Sequence, residues 1–224
     1  MIQATGATLE YSDQGRPVFA CQNIDLQVSS GQYVGILGPS GSGKSSLLYL
    51  LSGLKLPTSG EVLYNGQNLK EMHEDARSRL RLKEFGFVFQ QPYLLGYLSA
   101  LENVLVATPK NNNPRKALAL LEDLGLGHKS HRLPHELSGG ERQRVCVARA
   151  LIAEPNVIFA DEPTAALDHR NGVAVVELLN RLRGGGSLVI VTHDPTMLTE
   201  ADRVIRIVEG AIQRTDAVDR GVAV

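Results

Sequence analysis

The run Gly38-Pro39-Ser40-Gly41-Ser42-Gly43-Lys44-Ser45 satisfies the spacing G-x-x-x-x-G-K-[ST], and its residue types suit the binding of a phosphate chain. Its glycines let the loop turn tightly and aim successive backbone N–H groups at one anion. A helix opening near Gly43 adds the positive end of its dipole at the same point. Lys44 is a mobile point charge for the terminal phosphates, and the hydroxyl of Ser45, with Ser46 beside it, suits a Mg²⁺ ion. Further on, the apolar run Val157-Ile158-Phe159-Ala160 ends in two carboxylates, Asp161 and Glu162. At the C-terminal end of a buried strand Asp161 can hold Mg²⁺ directly or through water, and Glu162 can orient or deprotonate an attacking water. A third candidate is Leu137-Ser138-Gly139-Gly140-Glu141, where a capping box opens a helix, and helix starts bind anions.

These groups need elements to hold them. Gln32 to Leu37 reads as a short buried strand and Ser46 to Leu51 as a helix, the strand–loop–helix context that a phosphate loop requires. Ala7 to Tyr11 and Val18 to Val28 read as strands of an antiparallel sheet, and Asn65-Gly66 after Glu61 to Tyr64 as a hairpin turn. Asn68 to Lys83 reads as a solvated helix, with Glu71, Glu74 and Asp75 early and Arg77, Arg79, Arg81 and Lys83 late. The helix dipole favours that order, so the basic run needs no nucleic acid to explain it. Phe85 to Gln90, Val157 to Ala160 and Leu188 to Thr192 read as buried strands of parallel type separated by helices, which argues a mostly parallel sheet covered by helices. Between Gln91 and Ala153 the strand pattern stops. Ser99-Ala100-Leu101-Glu102 is a capping box, Pro109 to Pro114 a polar loop and Arg115 to Leu124 a helix. The division implied is an α/β core over 1–90 and 154–224 with a helical subdomain at 91–153. Thr215 to Val224 has weak periodicity and is expected to fray. Tyr93, Leu94, Leu95, Tyr97 and Leu98 crowd more apolar surface than one stripe can hide, so part of it should be exposed as a partner site.

Composition bounds the answer. With 224 residues, 43% hydrophobic and 21% charged, the chain is one large domain or two joined subdomains with a proper core. A net charge of −1 gives no pull toward nucleic acid or anionic lipid. Met1 to Thr5 shows no signal-peptide start, and no window of about 18 apolar residues exists. Cys21 and Cys146 make no disulfide framework, and Cys146 falls on an apolar helix face as a core residue. His128, His131 and His135 are too loosely spaced around Pro134 for a structural zinc site. Asp25, Asp194 and Arg149 read as structural.

Leu137 to Glu141 followed by Arg142-Gln143-Arg144, taken with the phosphate loop, resembles the signature of the ATP-binding-cassette ATPases, and the likeness covers nearly the whole chain. The resemblance implies an α/β, P-loop NTPase (RecA-like) fold: a mostly parallel core sheet, an N-terminal antiparallel β subdomain and an inserted α-helical subdomain carrying the signature. It implies a homodimer that hydrolyses ATP with Mg²⁺ in composite sites. The phosphate loop of one subunit faces Ser138, Gly139, Gly140 and Glu141 of the other. Gln90 matches the glutamine loop that touches Mg²⁺ or water, and Ala166-Leu167-Asp168 the loop that crosses the dimer interface. His193 matches the switch histidine, and Tyr11 the aromatic that stacks on adenine.

Pro57 to Glu61, Asn65-Gly66, Phe85 to Gln90, Leu101 to Val104 and Glu136 to Arg144 are similar to the lipoprotein-releasing and macrolide-exporting branch. That likeness implies an integral-membrane permease with a large extracytoplasmic domain, a periplasmic adaptor, and a station at the cytoplasmic face of the inner membrane. Two departures stand out. Ala165 replaces the family's Ser or Gly, and Val104 to Arg115 is shorter than in typical branch members. Export or mechanotransmission is the reading; a regulator resembling the cell-division ATPase FtsE, or an importer ATPase, stays open. Relatives acting on DNA or ribosomes usually carry coiled coils, zinc modules or fused cassettes, none of which is present here.

Overall fold

Alternating burial along the first residues puts Ile2, Ala4, Ala7 and Leu9 on one core face, as a half-buried strand requires. The computed structural model describes residues 1–14, 16–108, 113–165 and 167–217. It comprises two compact units, one of residues 1–81 with those from 189 onward and one of residues 82–188.

In the first unit β1 (Ile2–Asp13) pairs antiparallel with β2 (Arg16–Val28), Tyr11 lying opposite Val18. β3 (Tyr33–Leu37) is buried at every position and leads through the glycine-rich loop into α1 (Lys44–Leu51), which packs on β1 and β2. β4 (Ser59–Tyr64) pairs with β1 and turns into the short β5 (Gln67–Asn68), giving the order β2-β1-β4-β5. Asn65 and Gly66 make that turn at φ 50° and 80°, the left-handed pair that suits a two-residue hairpin.

α2 (Glu74–Glu84) starts later than its charge order suggests. Asn68 belongs to β5, and Leu69 is buried with its N–H on Val62 O at 3.0 Å, so the chain packs before it coils. Nor is the helix wholly solvated. Arg77 is buried, its Nη1 donating to Leu69 O (3.1 Å) and Met72 O (2.9 Å) while Nη2 meets Glu74.

The second unit contains β6 (Phe85–Val88), α3 (Ala100–Leu105), α4 (Pro114–Asp123), α5 (Gly139–Leu151), β7 (Val157–Asp161) and α6 (His169–Leu182). β6 and β7 run parallel, and Phe85, Phe87, Phe89 and Phe159 stack or meet edge-on at 5.2–5.7 Å. α5 is its central helix, in contact with α3, α4, α6 and β6. Ser99 and Ser138 both cap as expected, each with a reciprocal glutamate. The polar loop at 109–112 lies outside the described residues.

β8 (Ser187–Thr192) returns the chain to the first unit, where it neighbours β3; β9 (Arg203–Val208) runs parallel to β3 on its other side and antiparallel to β10 (Ala211–Ala217). Thr215 and Asp216 therefore do not fray. They pair with Ile205 and Val204, and Asp216 is held by Arg206 and Arg214. Residues 218–224 lie outside the described part. Each unit holds one buried cysteine: Cys21, with Sγ 3.8 Å from Gly43 O, and Cys146, with Sγ 3.9 Å from Phe87 O. Burial raises both thiols, Cys21 to about 12. Among the described residues no helix is long and apolar enough to cross a membrane.

Candidate functional site

The first unit builds the anion cradle from its own backbone. Ser42 N–H donates to Pro39 O at 3.2 Å, Leu47 N–H to Gly43 O at 2.9 Å, and Gly210 N–H to Ser42 O at 2.9 Å. Gly43 sits at φ 96°, and a Cβ there would lie 2.0 Å from Ala20 O. Only glycine fits both demands. Pro39, Ser40 and Gly41 form the exposed lip, Gly38 lies on the half-buried inner side, and Ser45 and Ser46 stand half-buried in the first turn of α1. Lys44 is buried along its stem, with Nζ on Pro39 O at 2.9 Å, so its charge is held within the loop. Ser42 Oγ is buried without a hydrogen-bond partner. An orphaned hydroxyl is costly, and a phosphate oxygen is the acceptor that such a loop offers it.

Tyr11 is brought to this loop through β2. It pairs with Val18, two residues before the Ala20 carbonyl that touches Gly43, and the residue is 40% exposed, with Lys55 Nζ 5.9 Å from the ring centroid. Val18 and Phe19 are exposed beside it. His193 is exposed just past β8. The chain after it is fixed by Asp194, whose N–H bonds Thr192 Oγ1 at 3.1 Å and whose Oδ1 accepts from Thr196 N–H at 2.9 Å. Asp25 likewise serves structure, accepting from Gly6 N–H at 2.9 Å.

The second unit carries the remaining candidates. Asp161 ends β7 nearly buried, at 6% exposure, and Glu162 follows at φ 45°. Glu154 and Glu209 share that left-handed backbone at φ 51° and 49°, so the conformation shapes the turn and does not by itself mark Glu162. Its carbonyl accepts from Ala165 N–H at 3.2 Å, closing a turn. Ala166 is outside the described residues, but Asp168 is placed. Its Oδ1 accepts from Asn171 N–H at 3.0 Å and caps α6, and these bonds hold its carboxyl below the usual range. Gln90 is exposed directly after Phe89, whose carbonyl accepts from Gln143 Nε2 at 3.0 Å.

At the start of α5, Ser138 N–H donates to Glu141 Oε2 at 2.9 Å and Glu141 N–H to Ser138 Oγ at 3.3 Å. The capping box thereby uses two of the first donors and leaves those of Gly139 and Gly140 over. Lys129 Nζ lies 2.6 Å from Glu141 Oε1. Lys129 first, then the Ser138 N–H, hold the Glu141 carboxyl down at about 2. A Cβ on Gly140 would meet only ordinary contacts, Leu167 Cδ2 at 3.5 Å and Arg144 Nη1 at 3.8 Å. Neither this chain's backbone nor its packing asks for glycine there.

Sequence reasoning read Cys146 as core and Arg149 as structural, but missed Gln143 and the partners of this face of α5. Gln143, Cys146 and Arg149, three apart, point to the chain between 87 and 93, and Arg149 donates to Pro92 O at 2.6 Å and Tyr93 O at 2.9 Å. The spacing was visible; the acceptors, being backbone carbonyls, were not. Arg149 braces Tyr93, which stands at φ 45° and is 66% exposed, near Leu95 at 37% and Tyr97 at 78%. The apolar crowd from 93 to 98 is thus partly at the surface, as its composition requires.

The family profile described as ABC transporter matches residues 21–165. The lipoprotein-releasing system ATP-binding protein LolD of Shewanella oneidensis is 40% identical over 95% of this chain and 96% of its own length. The macrolide export ATP-binding/permease protein MacB of Wolinella succinogenes is 41% identical over 95% of this chain, which spans only 34% of that relative. Among solved structures, the dimeric post-hydrolysis state of the ATP-binding cassette MJ0796 bound to ADP and Pi superposes with a TM-score of 0.91 at 34% identity, covering 97% of this chain and 99% of that one. These likenesses bear out the mixed α/β, P-loop NTPase fold with an antiparallel β subdomain.

Proposed function

The chain belongs to the ABC transporter family, and from that premise we propose that it is the ATP-hydrolysing subunit of a membrane complex that works as a head-to-tail homodimer. The observation that carries the composite site is Gly140. Its glycine answers no need of this chain, and it lies beside leftover helix-start donors that suit an anion brought by another subunit. In this reading Lys44, Ser42 and the loop N–H groups hold the triphosphate of ATP, and Tyr11 stacks on the base. Ser138, Gly139 and Gly140 of the facing subunit close over the γ-phosphate, with Glu141 fixing their geometry. Ser45, Gln90 and Asp161 are hard oxygen donors suited to Mg²⁺, which bound would neutralise phosphate charge. Glu162 orients the attacking water and accepts its proton, while His193 contacts the γ-phosphate and Asp168 lines the subunit boundary. Positioning and charge stabilisation then supply most of the rate.

The exposed side chains of Tyr93, Leu95 and Tyr97 support a docking site for a cytoplasmic helix of a permease subunit, which would hold the protein at the cytoplasmic face of the membrane. In this reading the permease carries a large extracytoplasmic domain and works with a periplasmic adaptor, as the resemblance of the motifs to the lipoprotein-releasing and macrolide-exporting branch implies. Relatives named for lipoprotein release and for macrolide export support export or mechanical work over import. The test of the dimer is a pair of variants. Glu162→Gln should still bind ATP, lose turnover by about 10²-fold or more, and elute as a dimer with ATP. Ser138→Arg and Lys44→Ala should each be inactive alone, yet regain part of the turnover when mixed, since one interface then joins an intact cradle to an intact signature. A Ser138→Arg protein as active as the parent would sink the shared site.

A further inference from the structure

We propose that Lys129 is a positioning residue for ATP-driven dimer closure, neutralising Glu141 so that the start of α5 can accept an anion. The inference rests on the composite-site reading and goes beyond it by naming a residue outside every motif. The capping box needs a carboxyl or carboxamide at position 141 to accept the Ser138 N–H at 2.9 Å, and this chain uses a glutamate. That choice puts a full negative charge one residue from Gly140 and two from Gly139, whose N–H groups are the donors left for an anion. The macrodipole attracts the phosphate; the glutamate repels it.

Lys129 answers the conflict locally. Its Nζ lies 2.6 Å from Glu141 Oε1, while Glu141 Oε2 takes the Ser138 N–H, so both carboxylate oxygens have partners within the chain. The two side chains are 31% and 17% exposed, less open to screening than a fully exposed pair. The nearest other cation in sequence, Arg142, is committed elsewhere, its Nη1 donating to Leu137 O at 2.6 Å. Lys129 itself is set by a short 3-10 turn (Gly127–Lys129) whose end bonds back, Lys129 N–H to Leu126 O at 2.9 Å.

The test uses the whole chain in the Glu162→Gln background, where ATP-bound dimers accumulate. Dimerisation is followed by sedimentation against ATP concentration, and monomer affinity by titration of a fluorescent ATP analogue at low protein. Lys129→Met should leave monomer affinity unchanged, because in the composite-site reading the start of α5 meets the ATP held by the facing subunit and not that of its own chain. It should weaken ATP-driven dimerisation by about tenfold, the scale of one unscreened charge at short range in a partly solvated interface. Lys129→Arg should restore it. The decisive variant is Lys129→Met with Glu141→Gln, which keeps the cap and removes both charges; dimerisation should return to within about threefold of the parent. The Lys129→Met defect should also shrink as the Debye length falls from about 10 Å at 0.1 M salt to about 3 Å at 1 M. If Lys129→Met closes like the parent, or the double variant closes no better than Lys129→Met, the proposal is wrong. A parent that stays monomeric with ATP would overturn the composite site and this proposal together, an outcome separable from the first two.

Discussion

At the scale of single residues, Gly43 and Gly140 answer different demands in the proposed site, and substitution separates them. Gly43→Ala forces a Cβ to within 2.0 Å of Ala20 O at φ 96°. It should cost at least about 2 kcal/mol in urea melts and abolish nucleotide binding. Gly140→Ala meets nothing closer than 3.5 Å in its own chain and sits in a helix. Its melting should stay level or rise by up to about 1 kcal/mol, while ATP-driven dimerisation and turnover collapse. Equal loss of stability in both would remove Gly140 from an intermolecular role. Ser42→Ala works the other way. Deleting an unpartnered buried hydroxyl should stabilise the nucleotide-free protein by about 1 kcal/mol and weaken its affinity for ATP.

Elements were legible where local pattern decides them. Continuous apolar runs placed β3, β7 and β8, and the Ser-x-x-Glu spacing placed both capped helices, because full burial of a short strand and capping are written within a few residues. The start of α2 was not legible. Acid-then-base order is the same whether Arg77 is solvated or, as here, buried on the carbonyls of Leu69 and Met72. Lys129 was silent for a like reason, since nothing in its local sequence points to Glu141. Arg77→Leu should therefore destabilise by about 2 kcal/mol, the cost of orphaned carbonyls, where a solvated arginine would cost almost nothing. The caps also set a pH response. Glu102 and Glu141 both lie below their ordinary carboxylate value, Glu102 through the backbone and side chain of Ser99, Glu141 through Lys129 and then Ser138. A lowered carboxylate contributes stability that is fully present above the unfolded value of about 4.3. For Glu141 it is lost as pH falls toward about 2. Melting temperature should be insensitive to Lys129→Met in this respect below about pH 2 and most affected above pH 5, where only the parent has the pair intact.

For the whole molecule, the question is how a membrane partner's movement reaches the nucleotide. α5 is one continuous element with Ser138 at its start and Arg149 near its end, and Gln143 and Arg149 tie it to the carbonyls of Phe89, Pro92 and Tyr93. Charge substitutions at Tyr93 and Leu95 should abolish co-purification with the permease while leaving ATP binding by the isolated protein intact. Normal assembly of that variant would move the docking site toward Val104 to Arg115. The two cysteines offer a readout that needs no engineering. One thiol is buried in each unit, Cys21 against the carbonyl of Gly43 and Cys146 on α5 against that of Phe87. Both are raised by burial, so neither reacts appreciably with a thiol reagent until its surroundings open. Labelling rates followed by peptide mass therefore become two clocks. ATP should slow the clock at Cys21 by tightening the loop above it, and permease binding should slow the one at Cys146, so that a wild-type chain reports separately on its fuel and on its load.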